Sequence, residues 1–147
     1  MNVGLSIHRN AVRTPKAPAI FGSGAKNYEQ LDVKSNQIAH FLERYGLKKG
    51  DRVALLVANR QEVVEVITGI AKAGLVYVGL NFRLGPVEMQ QIFENSEPAM
   101  VITDDEHLIQ VEDVATENKT PVMNLDSVFW NDEIKEMSEE PPTSMYE

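Results

Sequence analysis

The spacing of apolar residues changes several times along this 147-residue chain, and each change marks an element. Val3 to Thr14 carries a weak helical pattern with Asn2 placed to cap it. Pro15 and Pro18 end it, because the residue before a proline is pushed out of the helical region. Ala19-Ile20-Phe21 and Lys26-Asn27-Tyr28 flank a Gly22-Ser23-Gly24 turn and predict a small hairpin. Asn27 and Gln30 form a capping-box pattern for the next helix. Tyr28, Leu31, Ile38, Phe41, Leu42 and Tyr45 then recur at three- and four-residue spacing, with Lys34, Gln37, Glu43 and Arg44 on the opposite face. Gly46 stops this helix, where a left-handed residue is favoured.

Beyond Gly50-Asp51 the pattern alternates between two kinds. Val53-Ala54-Leu55-Leu56-Val57, Val76-Tyr77-Val78-Gly79-Leu80, Ala99-Met100-Val101-Ile102 and Pro121-Val122-Met123-Asn124-Leu125 are apolar on consecutive residues. Such runs predict strands buried on both faces, as in a parallel sheet between helices. Between them lie helical patterns. Asn59 caps one, with Glu62 three residues on, and Ala73-Gly74 closes it. Pro86 opens a second with Met89, Ile92 and Phe93 as its apolar stripe. Thr103-Asp104-Asp105 caps a third from Glu106 to about Glu117. Asp126 or Ser127 caps a weaker last helix through Lys135, and Pro141-Pro142 ends regular structure. Alternation of this kind specifies right-handed crossovers and an open, mainly parallel α/β sheet covered on both faces. It leaves the strand order open.

Length and composition suit one domain with a sizeable core. Residues 1–130 read as the α/β unit. Residues 131–147 hold six acids against one base, Lys135, and read as an acidic, weakly structured, solvated tail. The net charge of −8 opposes nucleic-acid binding, which needs a cationic surface. The chain has no cysteine, so it has neither disulfides nor thiolate metal sites. No apolar run approaches the length of a membrane span, and the first residues lack a signal-peptide pattern. A cytoplasmic protein is expected.

Candidate chemistry is sparse. His8, His40 and His107 are isolated in sequence, without a partner at metal-ligand spacing. Asp104-Asp105 follows a strand, where open α/β sheets place ligands; it reads as a helix cap or as a pair able to hold a divalent metal. No phosphate-cradling glycine loop of either common type is present, and no serine sits in a nucleophile elbow. Arg83 lies in a polar turn after a strand. Its guanidinium reads either as an exposed loop group or as a contact for a phosphate or carboxylate. These residues alone define a soluble α/β domain without a catalytic constellation.

Three stretches resemble the N-terminal region of the adenylate-forming ligases, the superfamily of acyl-CoA synthetases, firefly-type luciferases and peptide-synthetase adenylation domains. Lys26-Asn27-Tyr28-Glu29-Gln30-Leu31 is similar to an early Thr-Tyr-x-Glu-Leu element, with Asn27 in place of threonine. Gly50-Asp51-Arg52-Val53-Ala54 resembles the Gly-Asp-Arg-Val start of a strand. The stretch from Ala71 to Leu84 resembles a Lys-Ala-Gly-x-x-Tyr-Val-Pro-Leu-Asn-x-Arg-Leu core motif, with Gly79 in place of proline. Its Asn-x-Arg-Leu ending is more like acyl- and aryl-CoA ligases. The resemblance implies a parent enzyme that joins a carboxylic acid to CoA through an acyl-adenylate, using ATP, Mg²⁺ and CoA. It implies that Arg83, and with it Asn81, lies near the CoA nucleotide phosphates. In the family the Ser/Thr/Gly-rich phosphate loop and the catalytic lysine follow this region. An inactive N-terminal fragment is therefore expected, binding no cofactor tightly and self-associating as a homo-oligomer through exposed apolar surface. The alternative is a stand-alone doubly wound binding or signalling module built around Asp104-Asp105.

Overall fold

The computed structural model describes residues 2–147. Helix α1 (Gly4–Arg13) leads into a hairpin of β1 (Pro18–Ile20) and β2 (Lys26–Asn27), which pair antiparallel. Helix α2 (Tyr28–Arg44) starts with the predicted capping box, Asn27 and Gln30 exchanging side-chain and backbone hydrogen bonds. The Asn2 side chain accepts from the Gly4 N–H at 2.8 Å and so closes the start of α1. Then follow β3 (Arg52–Leu56), α3 (Glu62–Lys72), β4 (Val76–Gly79), α4 (Pro86–Ser96), β5 (Met100–Thr103), α5 (Leu108–Glu117), β6 (Val122–Asn124), α6 (Val128–Lys135) and a 3₁₀ turn, Thr143–Tyr146.

Strands β3 to β6 form one parallel sheet in the order β4-β3-β5-β6. Side chains alternate across it and divide the core in two. Val53, Leu55, Met100 and Ile102 face α2, α3 and α6, where they meet Phe41, Ile70 and Trp130. Ala54, Leu56 and Val101 face α4 and α5, where they meet Phe93 and Val111. The continuous apolar runs of β3 and β5 are explained by burial on both sides.

Four expectations change. The Val76–Leu80 run is not buried on both faces: β4 is the sheet edge, and Val76 and Tyr77 are 46% and 45% exposed. An apolar run has no feature that distinguishes an edge from a centre. Asn59 does not cap α3, because one more turn intervenes and the helix begins at Glu62, preceded by Gln61 without a side-chain cap. Gln37 lies buried on α2 and donates to the Met137 carbonyl at 3.2 Å. The stretch after α6 is docked instead of solvated. Met137 and Met145 are buried, and Asn36 and His40 bond the carbonyls of Glu139 and Glu140 at 2.7 and 2.9 Å. Its acids face water while Met137 and the backbone near it face α2 and Met145 packs by α1 and α3, a division that net charge does not reveal.

Helices α1, α2 and α3 pack closely around a polar knot. A Cβ on Gly69 of α3 would lie 2.6 Å from the Ile38 side chain of α2, so only glycine permits this approach. Beside it, Lys72 is wholly buried. Its ammonium donates to Asp32 Oδ1 at 2.5 Å, Asn36 Oδ1 at 2.7 Å and the Asp32 carbonyl at 3.2 Å. Asp32 Oδ2 meets His8 Nδ1 of α1 at 3.0 Å. Burial pushes the Lys72 pKa down, and the Asp32 carboxylate opposes that shift. Removing one partner of such a buried pair strands the other charge. Asp32→Ala is expected to lower unfolding free energy by about 3–5 kcal/mol. The double variant Asp32→Leu, Lys72→Met is expected to lose less, as measured by urea unfolding.

Candidate functional site

In a parallel sheet of this order, the connection leaving β3 runs to one side, toward β4, and the connection leaving β5 runs to the other, toward β6. The loops at the carboxyl ends of β3 and β5 therefore part. Ligands in open α/β sheets bind at such a point. Here an open cleft of about 630 Å³ lies at the carboxyl ends of β3, β4 and β5. Its walls are Leu56 to Asn59 after β3, Gly79 to Phe82 after β4, and Glu106 and His107 after β5, with Val63 of α3.

The loop after β4 carries both candidates from the resemblance. Asn81 lines the cleft, and its Oδ1 accepts from the Arg83 N–H at 2.9 Å, which holds the turn. Gln110 of α5 donates to the Phe82 carbonyl at 2.6 Å and ties this loop to the next. The exposed Arg83 guanidinium lies over the Phe82 ring, its Cζ 5.5 Å from the ring centroid. Asn81 and Arg83 are thus together at the cleft rim, Asn81 in the wall and Arg83 outside it.

Asp104 and Asp105 are not a pair aimed at one ligand. Asp104 is 2% exposed and reaches across the sheet end. Its Oδ2 accepts from the Ala58 N–H at 2.7 Å, and its Oδ1 accepts from the His107 N–H at 2.9 Å and meets His107 Nδ1 at 2.7 Å. Asp105 turns the other way, its Oδ1 accepting from Asn124 Nδ2 at 2.6 Å. Asp104, Glu106 and His107 could each bring a ligand atom within 4.8 Å of the others. Both Asp104 oxygens are already engaged by protein donors; the carboxylate caps the turn that joins β5 to α5 and ties it to the loop after β3, while α5 itself begins two residues later than expected, at Leu108, without a side-chain cap. His107 is not isolated, as its sequence position suggested; Asp104 stands three residues before it. His8 and His40 lie away from the cleft, in the knot at Lys72 and under the C-terminal stretch.

A second network stiffens the same end of the sheet. Arg60 donates to both Glu62 oxygens at 2.9 and 3.1 Å and to Asp126 Oδ1 at 2.7 Å. The Arg60 hydrogen bonds hold Glu62 below its ordinary pKa, and the same bonds raise that of Arg60. Asn59, Phe82, Glu106 and His107 were not singled out from the sequence as site residues. Their shared signal is position, each just past a strand's carboxyl end. Among the described residues no helix is long and apolar enough to cross a membrane.

Burial alone raises the Asp104 pKa. The Ala58 N–H, the His107 ring and the His107 N–H outweigh it, and the carboxyl titrates below its ordinary value of 3.8. The folded pKa lies below the unfolded one, so the stabilisation is complete above about pH 5 and is lost as pH falls through the folded pKa. Asp104→Asn is expected to cost about 1–3 kcal/mol at neutral pH. The gap from the parent chain should narrow as pH falls from about 5 to about 3, followed by urea unfolding at each pH. A gap that stays constant would remove the carboxylate's charge from this account.

The model of the AMP-binding enzyme family matches residues 7–145. A medium/long-chain-fatty-acid–CoA/3-oxocholest-4-en-26-oate–CoA ligase of Mycolicibacterium smegmatis is 38% identical over 98 residues, which cover 67% of this chain and 18% of the relative. The fatty acid–acyl-carrier-protein ligase ScoC of Streptomyces coeruleorubidus is 39% identical over 98 residues, covering 66% of this chain and 19% of its own length. The inhibitor-bound N-terminal domain of FACL13 from Mycobacterium tuberculosis superposes with a TM-score of 0.87 at 26% identity, over 97% of this chain and 37% of that one. The match spans under a fifth of the length of these two curated relatives. With nearly its whole length matched by one family and its fold shared with a solved acyl-CoA synthetase domain, the chain belongs to the AMP-binding enzyme family.

Proposed function

We propose that this chain works as the first part of an ATP-dependent acid–CoA ligase. In that reaction a carboxylate attacks the α-phosphate of ATP to give an acyl-adenylate and pyrophosphate. The CoA thiol then displaces AMP. ATP, Mg²⁺ and CoA are the expected cofactors, with magnesium neutralising phosphate charge in the first step. Fatty acids are the expected substrate class, since the names of both curated relatives carry them.

The observation that carries this reading is the cleft whose rim is the Asn81-Phe82-Arg83 loop. Its place at the strand ends suits a nucleotide. Arg83 has no carboxylate partner among the described residues, so its guanidinium is open to charge-assisted bonds with phosphate. We assign this cleft to the nucleotide end of CoA, with Asn81 shaping the loop and Arg83 meeting phosphate.

Three outcomes are expected. The 147-residue chain alone should release no pyrophosphate from ATP with fatty or aryl acids, and turnover above a buffer blank would contradict its role as a part. In a longer protein that contains this segment, Arg83→Ala should raise the KM for CoA several-fold more than that for ATP. Equal effects would move Arg83 away from CoA. The exposed Val76 and Tyr77 on the edge strand β4 should let the chain self-associate at high concentration. Sedimentation velocity reads this directly, and a monomer across the concentration range would refute it.

A further inference from the structure

The cleft holds one ring nitrogen with nothing to bind. His107 Nδ1 is engaged by Asp104 Oδ1 at 2.7 Å, and the same carboxylate is anchored by the Ala58 and His107 backbone N–H groups. Asp104 accepts only, so Nδ1 carries the proton and the tautomer is fixed. Nε2 has no hydrogen-bond partner among the described residues. The side chain is only 12% exposed, yet it forms part of the cleft wall. No fully sealed side-chain nitrogen or oxygen among the described residues lacks a partner, so Nε2 opens to the cleft.

Its surroundings point to one ligand chemistry. Phe82 is 60% exposed, with its ring centroid 6.4 Å from that of His107. The Arg83 guanidinium lies over the same ring. A flat exposed aromatic stacks a nucleobase, while a guanidinium and an imidazolium beside it bind phosphate oxygens. We propose that His107 is a nucleotide-binding residue of this cleft, its Nε2 taking up a proton as the anion binds and donating it in a hydrogen bond to a phosphate oxygen while Phe82 stacks the adenine. The proposal rests on assigning the cleft to CoA and adds the residues that grip it.

Asp104 is the positioning residue. Its carboxylate holds Nδ1 and so fixes the direction of Nε2. Glu106 on the same loop and Arg83 over the Phe82 ring are the other charged groups near the imidazole.

The test is a titration of the isotope-labelled chain, with the imidazole and backbone nitrogens followed by NMR. The probes are adenosine bisphosphate corresponding to the nucleotide end of CoA, CoA itself, ATP and pantetheine. Adenosine bisphosphate and CoA should move the His107 ring signals toward the protonated form and shift the Asn81 to Arg83 amides; pantetheine should not. His107→Ala should weaken adenosine bisphosphate binding about tenfold, the scale of one charge-assisted hydrogen bond. His107→Gln, which keeps a donor, should lose less. Both variants keep the backbone N–H that Asp104 accepts from, and circular dichroism checks that each one folds. Shifts at Asn81 to Arg83 with the His107 ring unmoved would overturn this inference and leave the CoA assignment standing. Ring shifts with ATP but not with adenosine bisphosphate would keep His107 as a phosphate contact and overturn the CoA assignment. No shift with any probe would overturn both.

Discussion

Lys72 is the constraint on which the helical layer depends. An ammonium with no access to water requires every one of its protons to find an acceptor, and here three oxygens on α2 supply them. That demand sets where α3 crosses α2. The same Asp32 reaches His8, and Gly4 of α1 lies so close that a Cβ would meet the Lys72 side chain at 2.4 Å. Three helices therefore share one fixed point. The C-terminal stretch seals it: Asn36 holds Lys72 with its oxygen and Glu139 with its amide, and Ser144 Oγ donates to the Lys72 carbonyl at 3.0 Å. A buried pair of this kind is weak evidence for net stability but strong evidence for a specified arrangement, since any other packing strands a charge.

From that point the geometry passes to the cleft. Lys72 ends α3, and β4 follows after the left-handed Gly74, so the helix fixes where the edge strand begins. The register of β4 against β3, with Leu55 opposite Gly79, then delivers Asn81 to Arg83 to the same end of the sheet as Asn59. Asp104 makes the last connection, carrying β5 to the loop after β3 by a single hydrogen bond. The Lys-Ala-Gly part of the family-like stretch thus serves packing, and its Asn-x-Arg part shapes the cleft.

Periodicity made the elements legible. The capping box at Asn27, the proline that opens α4 and the Ser127 cap of α6 all stand where local chemistry puts them. What periodicity missed was lateral. Val76 to Gly79 is an uncharged run flanked like Val53 to Leu56, yet only the strand order decides that one run lies at an edge. Gln37 and Met137 look like an exposed polar residue and a tail residue until the chain folds back over α2. The site was legible to the same depth. Arg83 stood out through resemblance, and Asp104 through its place after a strand. His107 did not, because its significance depends on which of its two nitrogens is occupied, and that is decided by contact with Asp104 and the cleft.

The electrostatics of the cleft limit what this part can do by itself. The chain carries a net charge of −8, and Glu106 sits in the cleft wall. Against these stand one guanidinium at the rim and one imidazole in the wall; Arg60, the other nearby cation, is spent on Glu62 and Asp126. A nucleotide bound as proposed would gain from two contacts and one stacking face, on a surface open to water that screens each of them. Sites that hold a ligand firmly enclose most of its surface. This cleft is open and would provide only one wall of such an enclosure. Strong binding would require a second wall that excludes water and adds positive charge. The matched segment is 18% of one curated relative and 19% of the other, so both have the chain length to supply that wall. On the proposed reading, specificity for a nucleotide would be written into this segment while a second wall would supply most of the affinity.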